Sequence, residues 1–272
     1  MNHHRAVSLA AGLGVAAVAV ALACSNTNAP DTKAGTTYGP SASVGEGTAR
    51  TFLQTDATGA PIALGVALTE TTLNNLPATA PGPSPTAIMV TLALPAAAAN
   101  LGFDHAEVGW NPSGHEPPQL YGKPHFDLHF YMVSSAVESA ILPSDPNYGA
   151  KAANFPAASF VPATYVAPPG SPAANAVPRM GLHWTSVASP ELNGQPFTST
   201  FIYGSWDGQF IFMEPMVTKA YLQTHPNATQ AIPQPSAWAK SGKYPTTYTV
   251  SYDPTAKEFR FTLGGLKFSA GS

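Results

Sequence analysis

The sequence has little that could supply sulfur ligands, disulfides or a strongly charged surface. Its 272 residues contain one cysteine, Cys24, which excludes an intrachain disulfide framework and a cysteine-rich metal site. Only 10% of the residues are charged, against about 25% in an ordinary soluble domain. The net charge of −3 comes with scattered lysines and no basic stripe of the kind that binds phosphate backbones. Nucleic acid is therefore not expected as a partner.

Proline and glycine, by contrast, are abundant, and they disfavour long helices. The 28 prolines and 23 glycines favour strands joined by irregular loops. We predict a mainly β fold, an antiparallel sandwich or barrel with a few short helices and long Pro-rich loops. The predicted strands are 49–55, 61–68, 86–94, 125–133, 197–203, 209–214, 246–252 and 258–263, the predicted short helices 134–142 and 216–224, and the Ala/Pro-rich excursion or lid 150–178. Asp207-Gly208 predicts a hairpin, because this dipeptide readily adopts positive φ.

The N-terminus has the order of a secretory signal. Arg5 precedes an uncharged, Ala-rich run over residues 6–23, and Ala21-Leu22-Ala23-Cys24 resembles a bacterial lipobox. The run is only weakly apolar for a membrane span and ends in small residues, which favours a removed signal. We predict lipidation of Cys24, membrane attachment through that lipid, and a cell-envelope location. The alternative is an ordinary signal peptide cut near Ala29, which would give a secreted protein.

These features predict three parts of the chain. Residues 1–23 are the signal peptide. Residues 24–45 are a disordered tether, since they are rich in Asn, Thr, Pro, Gly and Ser and have almost nothing to bury. Residues 46–272 form a single β-rich metal-binding domain, which is long enough to bury a substantial core.

A cluster of histidines in the middle of the chain is the strongest functional signal. His115 lies in a Gly-His-Glu-Pro-Pro segment, and residues 125–131 alternate between polar and apolar side chains. Strand side chains alternate across a sheet, so His125, Asp127 and His129 are predicted on one face and the aromatic residues on the core face. Imidazole and carboxylate groups suit zinc, iron, manganese, nickel and copper.

Two further segments offer ligands. His183 follows a glycine and precedes Trp184, and Glu214 ends an apolar strand. Alternation places Glu214 on the face of Phe212 and Phe210, which is predicted to point inward. A buried carboxylate is costly unless it is paired or bound to a cation.

The remaining two histidines of the domain look different. His105 has no evident partner motif, and His225 precedes Pro226 in a predicted loop. Both are predicted to be solvated.

Four motifs together resemble a known protein family. They are GHEPP, PHFDLHFY, MGLHW and FIYGSWDGQFIFMEPM, within about residues 100–225. The combination is similar to a family of poorly characterised exported bacterial proteins that includes a Thermus protein under an extracytoplasmic sigma-factor system. The resemblance implies a β-rich fold and one metal site made of His115, His125, His129, His183 and Glu214. It implies no particular reaction.

Two functions are compatible with this site. In the first, the protein is an exported metal-binding protein, with zinc favoured and manganese or iron next, in which metal-bound water can serve an enzyme. Asp127 or Glu116 would then orient a ligand imidazole. In the second, it is a structural or ligand-binding lipoprotein in which the ion only holds loops together. A Ser/His/Asp hydrolase is disfavoured, because no serine lies in a Gly-x-Ser-x-Gly segment. The reaction, any small-molecule ligand and the oligomeric state stay open.

Overall fold

A computed structural model describes Met1 and residues 34–82 and 84–272 of the chain. The predicted signal peptide after Met1, Cys24 and the first part of the predicted tether lie outside the described residues. All elements below belong to the compact unit Thr32–Ser272. Among the described residues, no helix is both long and apolar enough to cross a membrane.

Fifteen strands and five short α-helices are found in the described residues. The strands are β1 Gly35–Val44, β2 Gly47–Thr55, β3 Pro61–Thr69, β4 Ile88–Ala93, β5 His105–Asn111, β6 His125–Tyr131, β7 Tyr165–Val166, β8 Leu182–Ser186, β9 Ser199–Trp206, β10 Gln209–Thr218, β11 Asn227–Ala231, β12 Gly242–Tyr244, β13 Thr247–Asp253, β14 Glu258–Gly264 and β15 Lys267–Ser269. The helices are α1 Pro118–Tyr121, α2 Ser135–Ser139, α3 Tyr148–Ala153, α4 Pro172–Asn175 and α5 Lys219–Leu222, and short 3-10 turns lie at Glu70–Leu73, Ala96–Ala98, Ala158–Phe160 and Pro190–Asn193.

Thirteen of these strands form two large antiparallel sheets with a shared core, and β12 pairs with β15 in a separate two-stranded sheet. One sheet has the order β1-β2-β3-β14-β13-β11, and the other has the order β4-β5-β6-β10-β9-β8-β7. Side chains from both sheets meet in one apolar cluster, for example Val66 and Phe261 from the first and Phe126 and Met213 from the second. Both sheets are open, which confirms the predicted antiparallel sandwich and not the barrel.

The seven-stranded sheet is also covered on its outer face. Two smaller apolar clusters lie there, one with Ile141, Tyr148 and Phe212, the other with Tyr121 and Phe197. Residues 134–181, called the covering segment below, contribute Ile141 and Tyr148 to the first of these clusters. The outer face is consequently buried although it carries polar side chains.

The structure differs from the predicted tether over Gly35–Val44. This range forms β1, which pairs antiparallel with β2 at the edge of its sheet. Most β1 side chains are exposed, so the strand is stabilised by backbone hydrogen bonds that composition does not reveal. The second predicted helix also begins later than expected, at Lys219, because Met216 to Thr218 continue β10.

The predicted hairpin between β9 and β10 is confirmed. Asp207 and Gly208 have φ of 47° and 83°. Positive φ at both central residues matches the twist of the flanking strands. This turn sets the start of β10, the strand that carries Glu214.

Candidate metal centre

The alternation predicted for residues 125–131 is confirmed. His125, Asp127 and His129 are buried and project from the outer face of the seven-stranded sheet. Phe126 and Phe130 point to the opposite face and join the core shared with the other sheet. Strand β6 is paired on both edges, with β5 and β10, so neighbouring strands add side chains to the same polar face.

The first group of potential ligands consists of His115, His125 and Asp127. Asp127 Oδ1 lies 3.1 Å from His125 Nε2, and Asp127 Oδ2 lies 3.6 Å from His115 Nε2. His125 Nδ1 donates to the carbonyl of Lys123 at 2.6 Å, and His115 Nδ1 donates to the carbonyl of Glu116 at 2.9 Å. A carbonyl only accepts, so Nδ1 of each ring carries a proton, and Nε2 of the neutral form of either ring would turn a lone pair toward the carboxylate.

Two atoms of the first group consequently have no hydrogen-bond donor among the described residues. Within the described part of the chain, no hydrogen-bond donor reaches His125 Nε2 or Asp127 Oδ1, and both atoms are buried. Such groups are costly to bury unpaired, so a proton or a metal cation must neutralise them. The Glu116 side chain is exposed, so its backbone carbonyl, and not its carboxylate, orients His115.

Asp127 is held in place by a polar chain from two neighbouring strand regions. Asn111 Nδ2 donates to Asp127 Oδ2 at 2.6 Å, and Thr86 Oγ1 donates to Asn111 Oδ1 at 2.8 Å. Outer hydrogen bonds of this kind fix the orientation of metal-ligating carboxylates. Sequence analysis missed Asn111, although it alternates with the apolar residues of β5 just as His125 does in β6.

A tight loop after β5 delivers His115. Gly114 has φ of 71°, and a Cβ there would lie 2.0 Å from the carbonyl oxygen of Tyr121. The His115 amide donates to that same carbonyl at 3.2 Å. Because only glycine fits this close approach, Gly114 allows the loop to turn His115 back over β6.

The second group consists of His129, His183 and Glu214. Glu214 Oε2 lies 3.4 Å from His129 Nε2 and 3.8 Å from His183 Nε2. Among the described residues, neither nitrogen of His129 has a hydrogen-bond partner, and no donor reaches Glu214 Oε2. The Phe212 ring packs edge-on against His129, with centroids 4.8 Å apart, and fills the space above Gly204, where a Cβ would lie 2.0 Å from it.

Burial dominates the electrostatics of the second group. It lowers the pKa of His129 to about 4 and that of His183 to about 3, so both imidazoles are neutral near pH 7. Burial, together with the negative charge of Asp127, raises the pKa of Glu214 well above its ordinary value. Neutral imidazoles are the form that binds metal, and a bound cation would favour the ionised carboxylate.

In the first group, the interactions between Asp127 and the histidines outweigh the effect of burial on the pKa values of Asp127 and His115. Burial alone would raise the pKa of Asp127, but the facing imidazoles of His125 and His115 hold it well below its ordinary value. Burial likewise opposes a charge on His115, yet its contacts with Asp127 raise its pKa. Without metal, a proton can be held between these groups, and a metal ion would have to displace it.

Glu214 reaches the second group through the register of β10. Glu214 lies between the cross-strand pairs Met213–Phe130 and Met216–Asp127, which places it beside His129. Its predicted burial is confirmed, since it is 1% exposed. The predicted common face of Phe210 and Phe212 is wrong, because a register shift between them turns Phe210 into the core between the sheets.

The prediction that His105 is solvated is wrong. Its side chain is 5% exposed, and its Nδ1 and Nε2 face Asp104 at 2.9 Å and Glu138 at 3.1 Å. His105 belongs to a third group of closely spaced side chains with Glu107 and Glu138. The alternation of polar and apolar residues in β5 places His105 and Glu107 on one face, and this pattern could have predicted the burial of His105. His225, the other histidine predicted to be solvated, is exposed. Its ring stacks on that of Tyr252, with ring centroids 3.8 Å apart.

The five predicted ligands are therefore buried or half-buried on one sheet face, but in two groups. The first group adds Asp127, which had been expected to act only by orienting a ligand. Each group places one nitrogen or oxygen atom per residue within 4.8 Å of the others, so each could hold a divalent metal ion.

Comparison with known proteins gives a limited similarity. Residues 56–110 match the model of the TTHB210-like family, described as hypothetical protein TTHB210. No curated protein and no solved structure gives a significant match. The matched range contains β3, β4 and nearly all of β5, but none of the five predicted ligands. Over about a fifth of its length the chain is thus similar to a poorly characterised Thermus protein family, and this similarity carries no activity.

Proposed function

We propose that this protein binds two divalent metal ions, one in each group on the outer face of β6. The supporting observation is the convergence of buried imidazole nitrogens and carboxylate oxygens that have no hydrogen-bond donor between them. Proteins rarely leave several such atoms unpaired at one place. One cation in each group would bind the unpaired nitrogen and oxygen atoms that face each other in that group.

Zinc is the proposed ion, with manganese and iron next. Each group offers two imidazoles and one carboxylate and no sulfur, a donor set that suits these metals. Three protein ligands leave one position of a tetrahedral zinc ion for water or substrate, which is the arrangement of catalytic sites. The side chains of His115 and His183 are each 23% exposed, so solvent can reach one edge of each group. This exposure favours an enzyme over a purely structural role.

The alternative, in which the metal stabilises loops, also has an observation in its favour. Each group combines residues of β6 with a histidine from outside it, His115 from a loop and His183 from β8. An ion at either group would tie these separate segments to the centre of the sheet. A structural ion would leave no exchangeable water, whereas a catalytic ion would.

We expect the chain lacking residues 1–23 to contain about two equivalents of zinc after purification. Elemental analysis measures the native content, and titration after chelator treatment measures the number of sites. The same titration with manganese and iron ranks the metals. A protein that arrives without metal and takes up none of the three ions would contradict the proposal, and one equivalent would restrict it to one group.

We further propose that the protein is exported and attached to the cell envelope through lipid on Cys24. Replacing Cys24 with serine is expected to move the protein from the membrane fraction to the soluble fraction, because the lipid attaches to the thiol. Membrane fractionation and mass spectrometry of the N-terminus measure both properties. Ser25→Ala is the matched control and should stay with the membrane. A wild-type protein that is soluble and begins after Cys24 would contradict lipidation and support an ordinary signal peptide.

A further inference from the structure

The third group differs from the first two because an arginine forms ion pairs with its carboxylates. Arg179 Nη2 lies 3.1 Å from Glu107 Oε1 and also forms an ion pair with Glu138. Both carboxylates are almost completely buried, and Glu107 also accepts a hydrogen bond from Thr91. The guanidinium thus gives both buried carboxylates a permanently charged partner, which none of the side chains of the first two groups has among the described residues.

Arg179 also lies at a turn with an unusual backbone. Its φ is 71°, in the left-handed region that side chains other than glycine rarely adopt. Val177 and Gly181 exchange backbone hydrogen bonds of 2.8 Å in both directions across the turn, and the Arg179 amide donates to the carbonyl of Ile141 at 2.8 Å. A conformation of this kind persists where the surroundings fix it.

The turn leads directly into the strand that carries a proposed ligand. Strand β8 begins at Leu182, and His183 follows it. A Cβ on Gly181 would lie 2.3 Å from the carbonyl oxygen of Ser205, so the chain enters β8 in close contact with β9. His183 pairs with β9 and lies four residues after Arg179, so the turn bears on how the chain enters this pairing.

We propose that Arg179 is a positioning residue that latches the covering segment onto β5 and thereby holds His183 at the second metal group. The guanidinium connects three elements: Glu107 on β5, Glu138 on α2 and the turn before β8. Glu107 is also the cross-strand partner of His129, so the latch is anchored beside the group it serves. This inference rests on the proposed metal binding, but the latch itself can be measured without metal.

Arg179→Gln tests the latch in two ways. In the metal-free protein, we expect hydrogen exchange in peptides covering residues 172–183 to be at least about 10-fold faster, because local opening becomes easier. Zinc affinity of the second group should fall by about 10- to 100-fold, the usual effect of losing a residue that orients a ligand. The first group should keep its affinity, since His115 and His125 lie outside the covering segment.

Lys151→Gln is the matched control. Lys151 pairs with Asp145 at 2.8 Å within the same covering segment but touches neither buried carboxylate. It should leave exchange over residues 172–183 and both zinc affinities unchanged. Arg179→Gly should behave like Arg179→Gln, because it too removes the guanidinium. Glycine also adopts the left-handed backbone without strain, so this variant separates the loss of the guanidinium from backbone strain. An Arg179→Gly protein with wild-type exchange and affinity would show that only the backbone matters and would overturn the proposal.

A further variant is needed if Arg179→Gln does not fold because it leaves two buried carboxylates without their ion-pair partner. The triple variant Glu107→Gln, Glu138→Gln, Arg179→Gln removes these charges together with the latch and should still show faster exchange and weaker second-group binding. Wild-type exchange in this variant would overturn the latch. If the wild-type protein binds no zinc, the proposed function fails, and hydrogen exchange still decides whether Arg179 holds the covering segment.

Discussion

Replacing His125 with alanine is expected to remove one of the two proposed zinc ions and to weaken binding at the first group by at least about 100-fold. His125 would be a direct ligand, and loss of even an orienting residue costs 10- to 100-fold in metal affinity. The remaining nitrogen of His115 and the Asp127 carboxylate cannot complete the coordination. Isothermal titration with zinc, after chelator treatment, measures the affinity and the number of sites.

His129→Ala is the companion variant and should remove the other ion, since His129 belongs to the second group. The two variants together should show one lost equivalent each, and the double variant should bind none. His225→Ala is the matched control, because that histidine is exposed and lies in neither group. Unchanged affinity in both His125→Ala and His129→Ala would mean that the polar face of β6 binds no metal. Thermal melts of the metal-free variants identify any loss of folding.

Replacing Phe126 with alanine is expected to lower the free energy of unfolding by about 3 to 5 kcal/mol, the usual cost of emptying a fully buried phenylalanine site. Phe126 has no exposed surface and packs against Trp110, with ring centroids 4.8 Å apart. Chemical denaturation of the metal-free protein measures the loss. Zinc affinity should stay near the wild-type value in conditions where the variant is folded, because Phe126 points away from both groups.

Phe268→Ala is the control for this prediction. Phe268 is 70% exposed, so its loss should change the free energy of unfolding by no more than about 0.5 kcal/mol. A folded Phe126→Ala protein with strongly reduced zinc affinity would contradict the separation of the two faces of β6. A stability loss as small as that of Phe268→Ala would contradict its place in the core.

The sequence alone determined the parts of this site that depend on local patterns. Strict alternation in β6 separated His125, Asp127 and His129 from the core aromatics, because side chains of one strand alternate wherever that strand is placed. Asp207-Gly208 likewise determined the β9–β10 hairpin through its own backbone preference. The burial of Glu214 was predictable from its apolar strand.

The division of the ligands depended on which strands become neighbours. The chain order does not reveal that β6 pairs with β10, yet this pairing places Glu214 beside His129 and away from Asp127. The placement of His115 depends on a loop closed by Gly114, and that of His183 on β8, which lies three strands from β6 in the sheet. Sequence reasoning consequently expected the five residues in one site, whereas the structure divides them between two groups.

Burial of His105 and the strand β1 were likewise decided only by tertiary structure. His105 is covered because α2 brings Glu138 to it and Tyr131 stacks on its ring, and the sequence around residue 105 does not indicate the approach of α2. Strand β1 exists because the backbone of β2 pairs with it, although its own side chains bury little. Side-chain periodicity is a local property of the sequence, whereas strand pairing and loop closure depend on the rest of the chain.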